Sequence, residues 1–456
     1  MNTSDHRLAS FLQRQLATNP SIFGKMNGDR ELLKGLRLCG SQAVRTPMMK
    51  PAVFLVKSDE SANFTMSQHC HSTWACPYCT PRIMAAKGSD IAVQIDALAK
   101  WKGEHAFMVT FTLPHLPFMS IYATYTILLQ AWDYFSRRNK GQKKYVRKDT
   151  GEVVTYNLNG NLPQFKRDLQ IKNMVRVYEF TWGINSWHPH IHALMWTPKQ
   201  NWNKVLGYEQ MLRKSWWHAV KKFTTKYYVE RYPDDPEKAQ KILSEIFLDY
   251  KQGDRALWIS KDKHGKLILQ KSSHYISGWT GDMELTGSPI KRAQFGHYNP
   301  EQILRAAYFN RNFPQIRDDL LKLYIEYAVA TKGHRRVEFA NKAESKKLRD
   351  AWKRTNEYIM SFKKKAMAKA KKQLVCWFNA QEWSHLSWLE LTIPDVNIKA
   401  TLLEHAMEPD FKQKISTFLE QYDIKCHFEP YTSDEVMQAI LTYHMEREHA
   451  KALNMA

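Results

Sequence analysis

Trp187-His188-Pro189-His190-Ile191-His192-Ala193-Leu194 sets three histidines at alternate positions. In an extended strand alternate side chains share one face, so all three imidazoles can point the same way. A lone histidine is ordinarily a satisfied core residue, whereas three in phase with an apolar opposite face read as metal ligands. Upstream, Met174 to Thr181 has the β-branched and aromatic character of a strand, and Gly183-Ile184-Asn185-Ser186 separates the two segments. With Ile184 and Asn185 as the loop of a hairpin, Gly183 pairs with Ser186 and Glu179 with His190. A carboxylate then stands beside the imidazoles. Such a set suits Mn, Mg, Zn or Co, and an open coordination position lets the ion grip a phosphate oxygen. The strands at 106–112 and 187–194 are expected to be neighbours in an antiparallel sheet, with helices on one face and the histidine face left for the substrate.

A second group is built from sulfur. Cys76-Pro77-Tyr78-Cys79 is a CxxC knuckle, with Cys70 and Cys39 upstream of it. Four thiolates close a tetrahedral zinc site, and the knuckle turns backbone N–H groups toward its sulfurs. His69 or His71 can replace Cys39 or Cys70 in that set, and buried free thiols or a redox pair are the competing reading. Zinc held by four protein ligands has no open position and is structural. Cys376 and Cys426 stand alone beside Trp377 and His427 and read as core residues.

Both groups need elements to hold them. Ala52 to Val56 is a β-rich run, and a helix is expected to begin after Pro81. Ala106 to Thr112 reads as a buried strand ended by Leu113-Pro114. Ile121 to Arg137 has helical periodicity and Tyr145 to Asn157 hairpin character. Trp202 to Leu248 is helical with a break at Pro233-Asp234-Asp235-Pro236, and Ala256 to Ser260 with Leu267 to Leu269 form a hairpin around His264-Gly265. Helices follow at Ser272 to Trp279 and, broken at Pro314, over 300–333. Beyond Lys342 the composition shifts, since residues 342–372 hold twelve Lys or Arg against three acidic residues in a helix-forming stretch. That stretch is expected to hold DNA without reading its sequence.

The 456 residues carry 67 Lys plus Arg against 45 Asp plus Glu, a formal charge of +22, which calls for an anionic partner. Aromatic residues at 12%, 15 of them Trp, favour nucleic acid over a membrane surface, because bases stack on rings. A 43% hydrophobic content excludes a wholly disordered chain. No run approaches the roughly 18 apolar residues that cross a bilayer, and the opening residues lack the apolar stretch of a secretory signal. The expectation is a cytoplasmic protein without a membrane partner.

These motifs together resemble the HUH endonuclease superfamily, and within it the rolling-circle plasmid replication initiators whose amino-terminal part carries a cysteine cluster. Met108-Val109-Thr110-Phe111-Thr112-Leu113 looks like the first motif of that family, and Trp187 to Leu194 is similar to its second, whose histidine pair maps onto His190 and His192. The third would be Ser272-Ser273-His274-Tyr275-Ile276-Ser277-Gly278-Trp279, with Tyr275 as nucleophile. Glu284-Leu285-Thr286 and Tyr298 to Leu304 look like its continuation, so the resemblance covers about 35 to 340. Lys271 stands where several relatives carry a glutamate that activates the terminating water, Gly278 where a lysine is frequent, and Trp279 where a second tyrosine would be. The resemblance implies a one-tyrosine enzyme.

It also implies an α+β fold: an antiparallel-sheet HUH endonuclease domain at 96–340, a zinc-binding amino-terminal module at 1–95 and a basic, mainly helical carboxy-terminal region at 341–456. A Mg or Mn ion on His190, His192 and Glu179 would activate the scissile phosphate, and structural Zn would sit on Cys39, Cys70, Cys76 and Cys79. Tyr275 would form a 5′-phosphotyrosine link with single-stranded or cruciform origin DNA and free a 3′ hydroxyl that primes a host polymerase. No GxxxxGK[ST] run is present, so unwinding would fall to a host helicase. The alternatives are a rolling-circle transposase with the same motifs and a non-catalytic zinc-containing DNA-binding regulator. A conjugative relaxase fits less well, because the tyrosine there usually precedes the histidine motif.

Overall fold

The computed structural model describes residues 3–19, 30–44, 50–59, 61–114, 119–136, 142–146, 153–157, 162–248, 255–269, 297–355, 373–393, 396–429, 431–432 and 435–436. The fold is mixed α+β with antiparallel sheets and a largely helical carboxy-terminal part. Among the described residues no helix is long and apolar enough to cross a membrane. The chain forms two units, Met1–Ile83 with Ile303–Lys332 and Asn356–Ala456, and Met84–Gln302 with Gly333–Thr355. Neither is continuous in sequence, in contrast to the three consecutive segments 1–95, 96–340 and 341–456.

The first unit shows why. It begins with α1 (Thr3–Thr18) and α2 (Arg30–Arg37), then β1 (Ala52–Lys57) and β2 (Ala62–Thr65). Every residue of β1 up to Val56 is buried, so this strand is apolar on both faces and needs a neighbour on each edge. β2 pairs one edge, and Gln373–Asn379 returns from the far end of the chain to pair the other, with Leu55 opposite Cys376. Val53, Leu55, Val375 and Phe378 then share a core with Trp383, Leu386 and Leu402 from the helices Ala380–Thr392 and Ile398–Ala406. A helix at Phe411–Glu420 completes this part. Asn379 caps Ala380–Thr392 through a capping box with Glu382. Helices Pro300–Phe309 and Pro314–Ala330 each start at a proline, where a missing N–H costs nothing.

The chain passes through α3 (Cys79–Lys102) into the second unit. This helix starts at Cys79, ahead of Pro81, because proline is tolerated in a first turn whose N–H groups have no intrahelical partner. There follow β3 (Glu104–Thr112), α4 (Ile121–Ser136), the hairpin β4 (Gln142–Val146) and β5 (Val153–Asn157), and α5 (Leu162–Asp168). Then come β6 (Met174–Gly183), β7 (Ser186–Pro198), a 3-10 segment, α6 (Glu209–Arg231), α7 (Pro236–Phe247) and β8 (Leu257–Ile259). β9 (His297–Tyr298) pairs β6, and Val337–Phe339 forms the other edge strand. The sheet runs Val337–Phe339, β6, β7, β3, β8, antiparallel throughout.

On one face Phe111 packs edge-on against Trp132 and Phe135 of α4 and Trp216 of α6, and Tyr125 packs against Tyr178 and Phe180. The other face holds the histidines, and it is not free of helices as a sheet with one open side would be. Leu194, Trp196, Met108 and Val177 share a core there with Met84, Ile91, Ile95 and Leu98 of α3. The cause is the same period of two that aligns the histidines: positions 188, 190 and 192 are followed on that face by Leu194 and Trp196, which need cover. Helix covers the apolar end of the face, and the three histidines occupy the other end.

The basic stretch also divides. Lys342–Lys353 is a helix of the second unit. There Arg349 is buried with Nη1 donating to Gln94 Oε1 at 2.9 Å, and Lys353 pairs with Asp90 at 2.9 Å. Arg349 is thereby committed to the fold and Lys353 partly so, while Lys342, Lys346 and Lys347 of the same helix are exposed. The remainder, 356–372, lies outside the described residues.

Candidate metal centres

The β6–β7 hairpin adopts the two-residue loop expected for it: Gly183 pairs with Ser186 and Glu179 with His190. β7 pairs on its other edge with β3, which puts Thr110 opposite His192 and Thr112 opposite His190. Since these positions share a face, two hydroxyls flank the imidazoles. The Thr110 Oγ1–His192 Nδ1 distance is 3.0 Å, and Thr112 Oγ1 lies against His188 Nε2. His192 is buried, while His188 and His190 are half-buried. Ring centroids of His188 and His190 are 4.0 Å apart, and the rings of His190 and His192 stack at 6.0 Å.

Glu179 Oε2 lies 2.8 Å from His192 Nε2. The meaning of this contact turns on Thr110, whose hydroxyl can donate to Nδ1 or accept from it. When it donates, Nε2 carries a proton and bonds to the carboxylate. When it accepts, either the ring is an imidazolium whose Nε2–H also donates to the carboxylate, or Nε2 presents a lone pair to an anionic oxygen, an arrangement that a bound cation would reconcile. Two cis ligands of an octahedral ion with bonds of about 2.1 Å stand roughly 3 Å apart, so this spacing fits an oxygen-nitrogen pair on one ion. Glu179 and His192 are thus in contact, His190 lies alongside, and Tyr275 lies outside the described residues. Lys271, Gly278 and Trp279 lie outside them too.

The cysteines converge more closely. Cys39, Cys70, Cys76 and Cys79 have all four sulfurs within 4.8 Å of one another, and among the described residues they are the one such group of three or more metal-donor side chains. The Sγ–Sγ distances are 3.5 Å for Cys39–Cys79 and Cys39–Cys76 and 3.8 Å for Cys70–Cys79. A tetrahedral zinc with Zn–S bonds of about 2.3 Å sets its sulfurs roughly 3.8 Å apart, so this cluster can hold a structural metal such as zinc. The knuckle turns its backbone as such a site requires, with Cys79 N donating to Cys76 Sγ at 3.3 Å and Cys70 N to Cys39 Sγ at 3.5 Å. Hydrogen bonds from Cys70, Cys76 and Cys79 hold the Cys39 thiol well below its usual range, and the same crowding pushes Cys76 and Cys79 up. A dication on the four sulfurs would favour the thiolate form of each. His69 sits 3.7 Å from Cys39 Sγ, bonds Ser67 Oγ and stacks on Tyr78, outside the four-sulfur set.

Comparison with protein-family models, curated proteins and solved structures finds no match to this chain.

Sequence reasoning missed Thr110 and Thr112. Their signal is the alternation Thr110-Phe111-Thr112, which places both hydroxyls on one face of β3, but only the β3–β7 register shows that this face carries the histidines.

Proposed function

We propose that this protein is a metal-dependent DNA strand-nicking enzyme of the HUH kind that initiates rolling-circle replication at a plasmid origin. The observation that carries the reading is Glu179 in contact with His192, on a hairpin whose register also brings Glu179 opposite His190, beneath two threonine hydroxyls that orient the rings. A divalent ion held by His190, His192 and Glu179 would supply Lewis acidity at a scissile phosphate. With the Thr110 hydroxyl accepting from Nδ1–H, Nε2 of His192 would present its lone pair to that ion. Tyr275, the nucleophile implied by the motif resemblance, would attack phosphorus through its phenolic oxygen; the phosphorus–O3′ bond breaks, the phenol loses its proton, and the departing 3′ oxygen gains one. The product is a 5′-phosphotyrosine link and a 3′ hydroxyl end that a host polymerase can extend, with a host helicase opening the duplex. The net positive charge supports a nucleic-acid substrate, and zinc on the four cysteines would brace the amino-terminal segments.

The test is a single-stranded oligonucleotide from the cognate origin, incubated with Mg or Mn and resolved under denaturing conditions for protein joined to DNA. Tyr275→Phe should bind DNA and form no adduct. His190→Ala or His192→Ala should slow nicking by several orders of magnitude, since a metal Lewis acid contributes several kcal/mol and each 1.36 kcal/mol is about tenfold. An adduct with Tyr275→Phe would move the chemistry to another tyrosine, and full activity of Glu179→Ala at limiting metal would remove the carboxylate from the site.

A further inference from the structure

The histidine face continues past β3 to the edge strand β8. Thr110 pairs on one side with His192 and on the other with Trp258, so Trp258, Thr110, His192 and Val177 form one row across four strands. The neighbours of Trp258, Leu257 and Ile259, point to the opposite face and are buried, while Trp258 is 39% exposed on the histidine side. Two strand spacings separate it from His192, roughly 10 Å. That is the span from a phosphate to the outer edge of a neighbouring base.

This edge strand is held in place. Buried Glu209, the first residue of α6, accepts from the backbone N–H of Ile259 at 3.3 Å and pairs with Arg213 and Lys261. Arg213 in turn donates to Leu257 O at 3.1 Å. The turn beyond it is ordered as well: Asp262 Oδ1 accepts from the N–H groups of His264 and Lys266, both at 2.9 Å, and Gly265 takes a φ of 74° that a side chain would disfavour. Lys261, Lys263 and Lys266 are exposed on this turn. With Lys261 committed to Glu209, an exposed indole on an anchored strand, followed by a turn that carries Lys263 and Lys266, is complementary to a base and its phosphates.

We infer that Trp258 is a stacking platform for one unpaired nucleobase of single-stranded DNA whose neighbouring phosphate lies at the histidine row. This rests on the nuclease reading above and adds to it a position where the enzyme grips a base. Stacking tolerates any base and favours large ones, so the platform fixes the position of the strand and weights it toward purines without a hydrogen-bond code.

The experiment measures binding of a fluorescein-labelled single-stranded oligonucleotide to the full chain without divalent metal, so that cleavage does not intervene. Trp258→Ala should weaken binding roughly 5- to 150-fold, the range for losing one base stack, with Trp258→Phe recovering most of it. Trp388→Ala, at another exposed tryptophan, should bind as wild type. An abasic nucleotide is then walked along the oligonucleotide; at one position its loss and that of Trp258→Ala should fail to add, which general destabilisation of the protein would not produce. If the wild type binds and Trp258→Ala binds equally well, or the losses add at every position, the platform is refuted and the nuclease reading stands. If the wild type binds no single-stranded DNA, both fall.

Discussion

Serine at Cys70 replaces the least buried of the buried-cluster sulfurs with a smaller, harder oxygen, so the main loss is a soft metal ligand and little packing. The structure sets the reach of that loss. Five hydrogen bonds tie the cysteine-bearing segments to the rest of their unit: Gln13 Nε2 donates to Leu36 O and Cys39 O, Trp383 Nε1 to Gly40 O, and the hydroxyls of Tyr324 and Tyr327 to Ala75 O and Trp74 O. At about 1 kcal/mol each, roughly 5 kcal/mol depends on residues 36–44 and 66–80 keeping their shape. Structural zinc itself contributes on the order of 10 kcal/mol, against about 5–15 kcal/mol for the net stability of a whole domain. The core built on Val53, Leu55, Phe378 and Leu402, however, does not run through the sulfurs. Cys70→Ser should therefore lose its metal and open 36–44 and 66–80 to hydrogen exchange, while 373–379 and 398–406 stay slow. Metal content by mass spectrometry and exchange with and without a chelator check this. Wild-type protein purified without metal, or unchanged protection at 66–80 in the variant, would refute the zinc argument; exchange spreading through 373–379 would refute the independence of the core.

Two further outcomes follow from buried charge. His6 is buried, and desolvation, helped by the positive charges of Lys399 and Arg82, lowers its pKa to about 3. Because the unfolded chain takes up this proton near pH 6.5 and the folded one does not, stability is present in full above that pH and falls as pH drops toward 3, by roughly 2 kcal/mol at pH 5; His6→Phe should flatten this part of a denaturation series between pH 5 and 7, and an unchanged slope counts against it. Glu209→Ala leaves Arg213 and the Ile259 N–H without their carboxylate and should cost roughly 3 kcal/mol, with Glu209→Gln milder because it keeps an acceptor. Exchange at 257–260 should rise in proportion; if it does not, β8 is held by β3 alone.

What could be read from the residues follows from how far apart the partners lie in the chain. The Glu179–His190 register was legible because a two-residue loop sets it, and loop length fixes pairing within a hairpin. No comparable rule connects Thr110 to His192, since the strands are separated by a helix, a hairpin, a second helix and β6, so the hydroxyl beside His192 Nδ1 is visible only in space. The same limit applies to β1. Its continuous apolar run announced burial on both faces but not that the second neighbour would be Gln373–Asn379, and without that pairing the two ends of the chain read as separate domains. Alternation also bears on the open face: if His188, His190 and His192 share a face, so do Leu194 and Trp196, and a face that is ligand at one end and core at the other cannot be left open along its length. His192, next to the helix-covered apolar end in sequence, is buried, while His188 and His190 are half-buried. That gradient places the most buried imidazole next to the carboxylate, where a lower dielectric strengthens the attraction between Glu179 and any cation that joins them.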